Sequence, residues 1–193
     1  MPRLVDPAIR PGSLARLRQP VVDLGDFLLR PWEAPDAPAV AAAYSDPGIQ
    51  RWHARSMTEA EALAWIGSWA GRWSQETGGS WAVAGEAGLL GQISLRQLNL
   101  QDGAGEVSYW VVPAARGRRV ATRALGALSG WAFRQLGLHR MELSHSTLNA
   151  ASCRVAEHAG YRLEGIRRGG ALHADGWHDM HLHARLAEDR TDA

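Results

Sequence analysis

A strand-like run at 106–112 (Glu-Val-Ser-Tyr-Trp-Val-Val) leads through Pro113, Ala114 and Ala115 into a turn carrying Arg116, Gly117, Arg118 and Arg119. That turn opens directly onto a helix running to Gly137, and a second strand-like run follows at 139–145. A strand followed by a helix and another strand cannot be a hairpin. It is the crossover that joins two parallel neighbours in a sheet, and such crossovers are right-handed. The helix has apolar residues at Ala121, Ala124, Leu125, Leu128 and Ala132, the one-sided period of a helix buried against a sheet.

The same turn has a chemical consequence. The first amides of a helix lack intrahelical acceptors and sit at the positive end of its dipole, so they receive anions. Three arginines crowd this spot, and guanidinium pairs with phosphate through two parallel donors. The turn therefore reads as a phosphate site built from Arg116, Gly117, Arg118, Arg119, Val120, Ala121 and Thr122. The alternative is a basic surface turn capping an ordinary helix.

Elsewhere the pattern alternates short helices and strands. Residues 1–25 contain Pro2, Pro7, Pro11, Gly12 and Pro20 and read as an irregular arm. A strand is expected at 27–30 and an alanine-rich helix at 35–44. Thr58 and Glu61 form a capping box for a helix reaching Trp73. Strands at 81–84, 90–98 and 106–112, separated by glycine turns, form an antiparallel meander. A last helix at 149–159 precedes strands near 161–172 and 177–186. The expected fold is an α/β sandwich with a mixed sheet: one domain at 26–187, with the arm before it and a tail at 188–193.

Composition removes several function classes. The formal net charge is +1, without the basic excess of a general nucleic-acid binder. All 21 basic residues are arginine, so the lysine of a phosphate-binding P-loop NTPase is missing. The single cysteine, Cys153, excludes an intrachain disulfide and suits a reducing compartment. No run approaches the roughly 18 apolar residues of a membrane span, and the N-terminus lacks a signal-peptide core. A cytoplasmic protein is expected, with neither nucleic acid nor membrane as partner.

The order strand, Arg-x-x-(Gly)-x-Ala, helix, strand, Asn149-x-x-Ser152, helix, Gly160-Tyr161, strand resembles the GNAT acyltransferase superfamily. Leu29-Arg30-Pro31-Trp32, Ser45-Asp46-Pro47 and Asp175-Gly176-Trp177-His178-Asp179 resemble its RimJ/RimL branch of ribosomal-protein N-terminal acetyltransferases. The likeness covers roughly residues 26 to 187. It implies the GNAT fold, a mixed and mostly antiparallel sheet in which strands 106–112 and 139–145 splay apart. It also implies acetyl-CoA, or another acyl-CoA, as co-substrate and an amine as acceptor. The pantetheine arm would lie along Trp110, Val111 and Val112, with one amide near Val111 aimed at the thioester carbonyl and the pyrophosphate on the arginine turn. The chain departs from the family at Arg119, which stands where the motif has glycine.

Further roles follow from the resemblance. Asn149 is an N-cap by residue type and, by likeness, a partner of the pantetheine arm. Ser152 would protonate the leaving thiolate, since the tyrosine many relatives carry on this helix is Ala156 here. Glu106 would take the amine proton through a water, or be an ordinary strand-edge carboxylate. Ala171 replaces a second glutamate of some relatives. A non-catalytic CoA-binding module is the alternative to an enzyme. Glu164 reads as a loop salt bridge and Cys153 as an inert thiol. Asp179, His181 and His183 share one strand face, but no fourth ligand is legible, so no metal is expected. Trp65, Trp69 and Trp73 form a helical stripe, most simply core. Trp52 or Trp69 lining a pocket or a subunit contact, and with it a homodimer, remains compatible with the sequence.

Overall fold

In the computed structural model, residues 4–189 are described; Pro2 of the arm, with its neighbours at 1 and 3, and residues 190–193 of the tail lie outside them. The chain order is β1 (Val22–Asp23), β2 (Phe27–Pro31), a 3₁₀ turn, α1 (Ala37–Ala43), α2 (Pro47–His53), α3 (Glu59–Ser74), β3 (Gly79–Gly85), β4 (Gly88–Asn99) and β5 (Ala104–Val111). It continues with α4 (Val120–Trp131), β6 (Arg140–Ser146), α5 (Ala150–His158), β7 (Arg162–His173) and β8 (Gly176–Leu186).

The eight strands form one sheet in the order β1-β2-β3-β4-β5-β6-β8-β7. Only the central pair β5–β6 is parallel, as the crossover pattern requires; the other pairs are antiparallel. The expected meander is β3–β4–β5. Gly91 lets β4 approach β5 closely, since a Cβ there would sit 2.4 Å from the Trp110 carbonyl oxygen.

Local signals set the helix ends. Thr58 and Glu61 exchange capping hydrogen bonds at the start of α3. Asp46 caps α2 by accepting from Ile49 N at 3.0 Å, with Pro47 at the first helical position. The sequence expectation did not include α2, although this Asp-Pro pair announces it. After Trp131, α4 loosens into a π-helical turn that Gly137 ends at φ 81°.

Helices α4 and α5 cover one face of the sheet; α1, α2 and the first part of α3 lie toward the other, while the end of α3 reaches the α4 side through Trp73, with an apolar cluster on each side. On the larger side Trp73, Trp81 and Trp131 meet with ring centroids 5.7–5.9 Å apart. Two residues of the tryptophan stripe, Trp69 and Trp73, are therefore core. The arm, expected to be irregular, ends in β1, which pairs with β2, and its earlier residues belong to the packing. Ile9 and Leu14 are buried in the main cluster, and Glu76 accepts from the Leu14 amide at 2.7 Å. Trp73 and Trp81 donate their indole N–H groups to the Leu17 and Pro20 carbonyls. No helix among the described residues is long and apolar enough to cross a membrane.

Candidate active site

The parallel pairing of β5 with β6 covers only Ala104, Gly105 and Glu106, opposite Arg140, Met141 and Glu142. Beyond that point the strands part, and a cleft of about 850 Å³ opens between them. Its lining joins β5, the arginine turn, the end of β6, the start of α5, α2 and the 170–173 stretch of β7.

Backbone alternation decides which groups of β5 face the cleft. Val112 N donates to Leu90 O at 2.9 Å, so its amide is committed to β4. Val112 and Trp110 are thus the residues whose backbone pairs with β4, while Val111 and Tyr109 turn theirs toward the gap. Of the three residues expected to pair with a pantetheine arm, only Val111 presents its amide to the cleft. Its carbonyl accepts from Arg116 Nε at 3.2 Å, and that of Tyr109 lies 3.1 Å from His53 Nε2.

The arginine turn has the geometry of an anion cradle. Arg119 adopts φ 57°, the left-handed conformation in which the motif has glycine, at a cost of about 1 kcal/mol. Gly117 lies at φ 78°. Arg123 N bonds Arg119 O, leaving the amides of Val120, Ala121 and Thr122 as the unpaired first turn of α4. Arg119 lines the cleft, whereas Arg118 is not part of its lining. The Arg116 guanidinium is engaged elsewhere: Nη2 lies 2.7 Å from Asp46 Oδ1, joining the turn to the N-cap of α2. Arg116 thus lines the cleft and also clamps the turn to α2. Arg116→Ala and Asp46→Asn are expected to produce similar, small losses of melting temperature, since an exposed ion pair contributes little. Coenzyme A calorimetry on both variants checks the assignment; a large affinity loss in Arg116→Ala alone would return its side chain to the phosphate.

At the start of α5, Asn149 Oδ1 accepts from Ser152 N at 3.1 Å, so the cap uses the oxygen and leaves Nδ2 as a donor for a ligand. Both residues line the cleft. Across the gap lies a residue the sequence reading missed. Tyr109 Oη is buried and makes no hydrogen bond of good geometry; burial pushes its phenol up to about 12, opposed by the neighbouring Ser152 hydroxyl. A phenol therefore reaches the Ser152 side of the cleft from β5, whereas α5 carries Ala156. The signal was present in the strand alternation, because Tyr109 shares the face of Val107 and Val111.

Glu106, Ser108 and Trp110 point to the other face. Arg96 Nη2 donates to Glu106 Oε1 at 2.8 Å, and both residues line the cleft. Trp52 also lines it and meets the His173 ring edge-on at 6.2 Å; Trp69 does not. The buried Ser146 Oγ lies 2.9 Å from His178 Nδ1, and His178 Nε2 lies 2.9 Å from Asp175 Oδ1. This explains two polar positions of the Asp175–Asp179 motif. Glu164 pairs with Arg140, as the salt-bridge reading expects. Asp179 accepts from Gly169 N and stands apart from a cluster that gathers His181, His183, His145 and Cys153. Cys153 is thus not an isolated thiol.

His53 carries the largest histidine shift. Burial lowers its imidazole from the ordinary 6.5 to about 4. An unfolded chain binds this proton between pH 6.5 and 4 while the native one does not. The stability is complete above pH 6.5 and is lost as pH falls toward 4, by at most about 3 kcal/mol. The melting temperature of the parent should fall relative to that of His53→Gln as pH drops across that interval; parallel pH dependences would refute the assignment.

Residues 26–162 match the family described as acetyltransferase (GNAT) domain. YdaF of Bacillus subtilis (strain 168), provisionally named a ribosomal N-acetyltransferase, is 34% identical over 99 residues, 48% of this chain and 54% of its own length. The chain thus spans about half of that relative. RimL, a ribosomal L7/L12 α-N-protein acetyltransferase solved with coenzyme A, superposes with a TM-score of 0.82 at 16% identity, covering 89% of this chain and all of that one. Mycobacterium smegmatis RimJ, solved with a CoA-disulfide, gives 0.79 at 22% identity, covering 86% and 85%.

Proposed function

The chain belongs to the GNAT acetyltransferase family, and on that premise we propose that it transfers an acetyl group from acetyl-CoA to an amine, an α-amine of a peptide or a small-molecule amine in preference to lysine. The observation that carries the reading is the gap between β5 and β6, where the Val111 amide, the first amides of α4 and the Asn149–Ser152 cap face one cleft.

The amides of Val120, Ala121 and Thr122 receive the pyrophosphate, and Asn149 Nδ2 meets the pantetheine arm. Val111 N–H donates to the thioester oxygen. Attack by the amine concentrates negative charge on that oxygen, so a fixed donor stabilises the transition state more than the ground state. The amine arrives from the face of Glu106, which takes its proton through a water. As the tetrahedral intermediate collapses, the C–S bond breaks and Ser152 gives the thiolate a proton, drawing on Tyr109 behind it.

Acceptor preference follows from acidity. An α-ammonium group has a reference pKa of about 7.7–8.0, against about 10.4 for lysine. A single carboxylate acting through water deprotonates the former far more readily at neutral pH. The α-N-protein activity of the neighbour RimL supports the same choice.

A thiol-release assay with acetyl-CoA and an amine panel tests the proposal, using peptides with free α-amines, an N-terminally blocked lysine peptide and small amines. Turnover confined to α-amines and small amines is the expected result. Coenzyme A binding without turnover on any amine would mark a binding module instead.

A further inference from the structure

Four side chains outside the proposed reaction converge under α5. His145 comes from β6, His181 and His183 from β8, and Cys153 from α5, and their ligand atoms all lie within 4.8 Å of one another. The sheet register creates the group. His145 stands opposite His181 and Leu143 opposite His183, so all three imidazoles share the face on which α5 packs. We propose that these four residues form a tetrahedral zinc site that fastens α5 to strands β6 and β8.

The tautomers point the same way. His145 Nδ1 lies 2.8 Å from the Ser146 carbonyl oxygen and therefore carries the proton, which makes Nε2 the lone-pair nitrogen. That Nε2 belongs to a side chain 6% exposed and has no hydrogen-bond partner. His183 is fully buried, with Nδ1 3.4 Å from the Tyr161 carbonyl and Nε2 3.9 Å from Cys153 Sγ. His181 presents Nδ1 to the same sulfur at 4.0 Å. A carbonyl that holds the far ring nitrogen is the usual outer shell of a metal-bound histidine. Without an ion, the buried His145 Nε2 is left without a hydrogen-bond partner, which native cores avoid.

The donors select the metal. Three imidazoles and one sulfur, with no carboxylate among them, disfavour calcium and magnesium and suit zinc. Zn–N of about 2.0–2.1 Å and Zn–S of about 2.3 Å place sulfur and nitrogen about 3.6 Å apart in a tetrahedron. The observed 3.9 and 4.0 Å exceed this by a few tenths of an ångström, and the widest pair, within 4.8 Å, closes by about 1 Å through side-chain rotation. Binding replaces the S–H bond of Cys153 with S–Zn and releases the proton to solvent. Glu157 Oε1, 3.6 Å from the sulfur, supplies a second negative charge beside the dication. Cys153 and His181 are only partly buried, so the ion can enter from solvent.

The site has a mechanical consequence. Cys153 directly follows Ser152, and His145 lines the cleft. Zinc there would hold the Asn149–Ser152 cap against β6 independently of any acyl donor.

The test uses tag-free full-length protein. Elemental analysis after purification with zinc and exhaustive dialysis is expected to find about one zinc per chain, and zinc should raise the melting temperature of the metal-stripped protein. Cobalt(II) added to the stripped protein should give the intense visible bands of a tetrahedral ion and a thiolate charge-transfer band. Cys153→Ser should lose the charge-transfer band, and His181→Gln should weaken cobalt binding at least about tenfold, both with parental far-ultraviolet circular dichroism. Folded parent protein that retains no zinc and gives no tetrahedral cobalt spectrum would overturn the site. So would a charge-transfer band that survives in Cys153→Ser.

Discussion

Glu106→Gln is expected to lower turnover by about 10²–10⁴ while leaving coenzyme A affinity unchanged. The separation follows from strand alternation. Glu106 shares the face of Ser108 and Trp110, opposite the one that Tyr109 and Val111 present to α5. Glutamine keeps the size of the side chain and an oxygen for Arg96, which now donates to Oε1 at 2.8 Å. The fold should therefore hold, and the loss should appear in kcat rather than in binding of the acyl donor. Steady-state rates with a peptide α-amine, together with calorimetry of coenzyme A, read both quantities. Full activity at pH 7 with intact binding would remove Glu106 from the reaction. Ser146, held by His178 and Asp175 at the cleft, would then be the next group to test.

The features legible in the sequence were those written over a few adjacent residues. The Thr58–Glu61 box, the Asn149 cap, the glycine turns of the meander and the strand–turn–helix crossover each depend on local geometry, and each appears where the sequence places it. The opposite held for partners distant along the chain. Arg116 reads as a phosphate ligand in the sequence, and nothing there shows that Asp46, 70 residues earlier, pairs with its guanidinium. Arg119 in place of glycine raises a question of affinity, whereas the backbone simply adopts the left-handed conformation the turn needs. The arm composition gives no hint that Ile9 and Leu14 enter the core. His145 and Cys153 lie far from His181 and His183 in sequence, and the β6–β8 register together with the packing of α5 brings the four together. Register is a property of the assembled sheet, set by which face each strand must bury.

Tyr109→Phe supplies a sharper test of the leaving-group side, because catalysis and stability should move in opposite directions. The Tyr109 hydroxyl is buried without a bonded partner in the protein alone, so phenylalanine should leave the melting temperature unchanged or raise it. If the phenol supports Ser152 in protonating the thiolate, turnover should nevertheless fall by about 10². The phenol, raised to about 12, stays protonated throughout the working range, so any pH dependence of the defect must come from the leaving group. Free thiols have a reference pKa near 8.5. Near neutral pH the departing sulfur needs a proton; toward pH 9 it can leave as the thiolate. The defects of Tyr109→Phe and Ser152→Ala should both be largest at neutral pH and shrink as pH rises. Because one residue acts through the other, the double variant should be no slower than the slower single variant. Rate profiles of the three variants decide the matter. Parental rates at every pH would leave both as packing residues and give the proton to water, and strictly multiplicative losses would separate Tyr109 from Ser152.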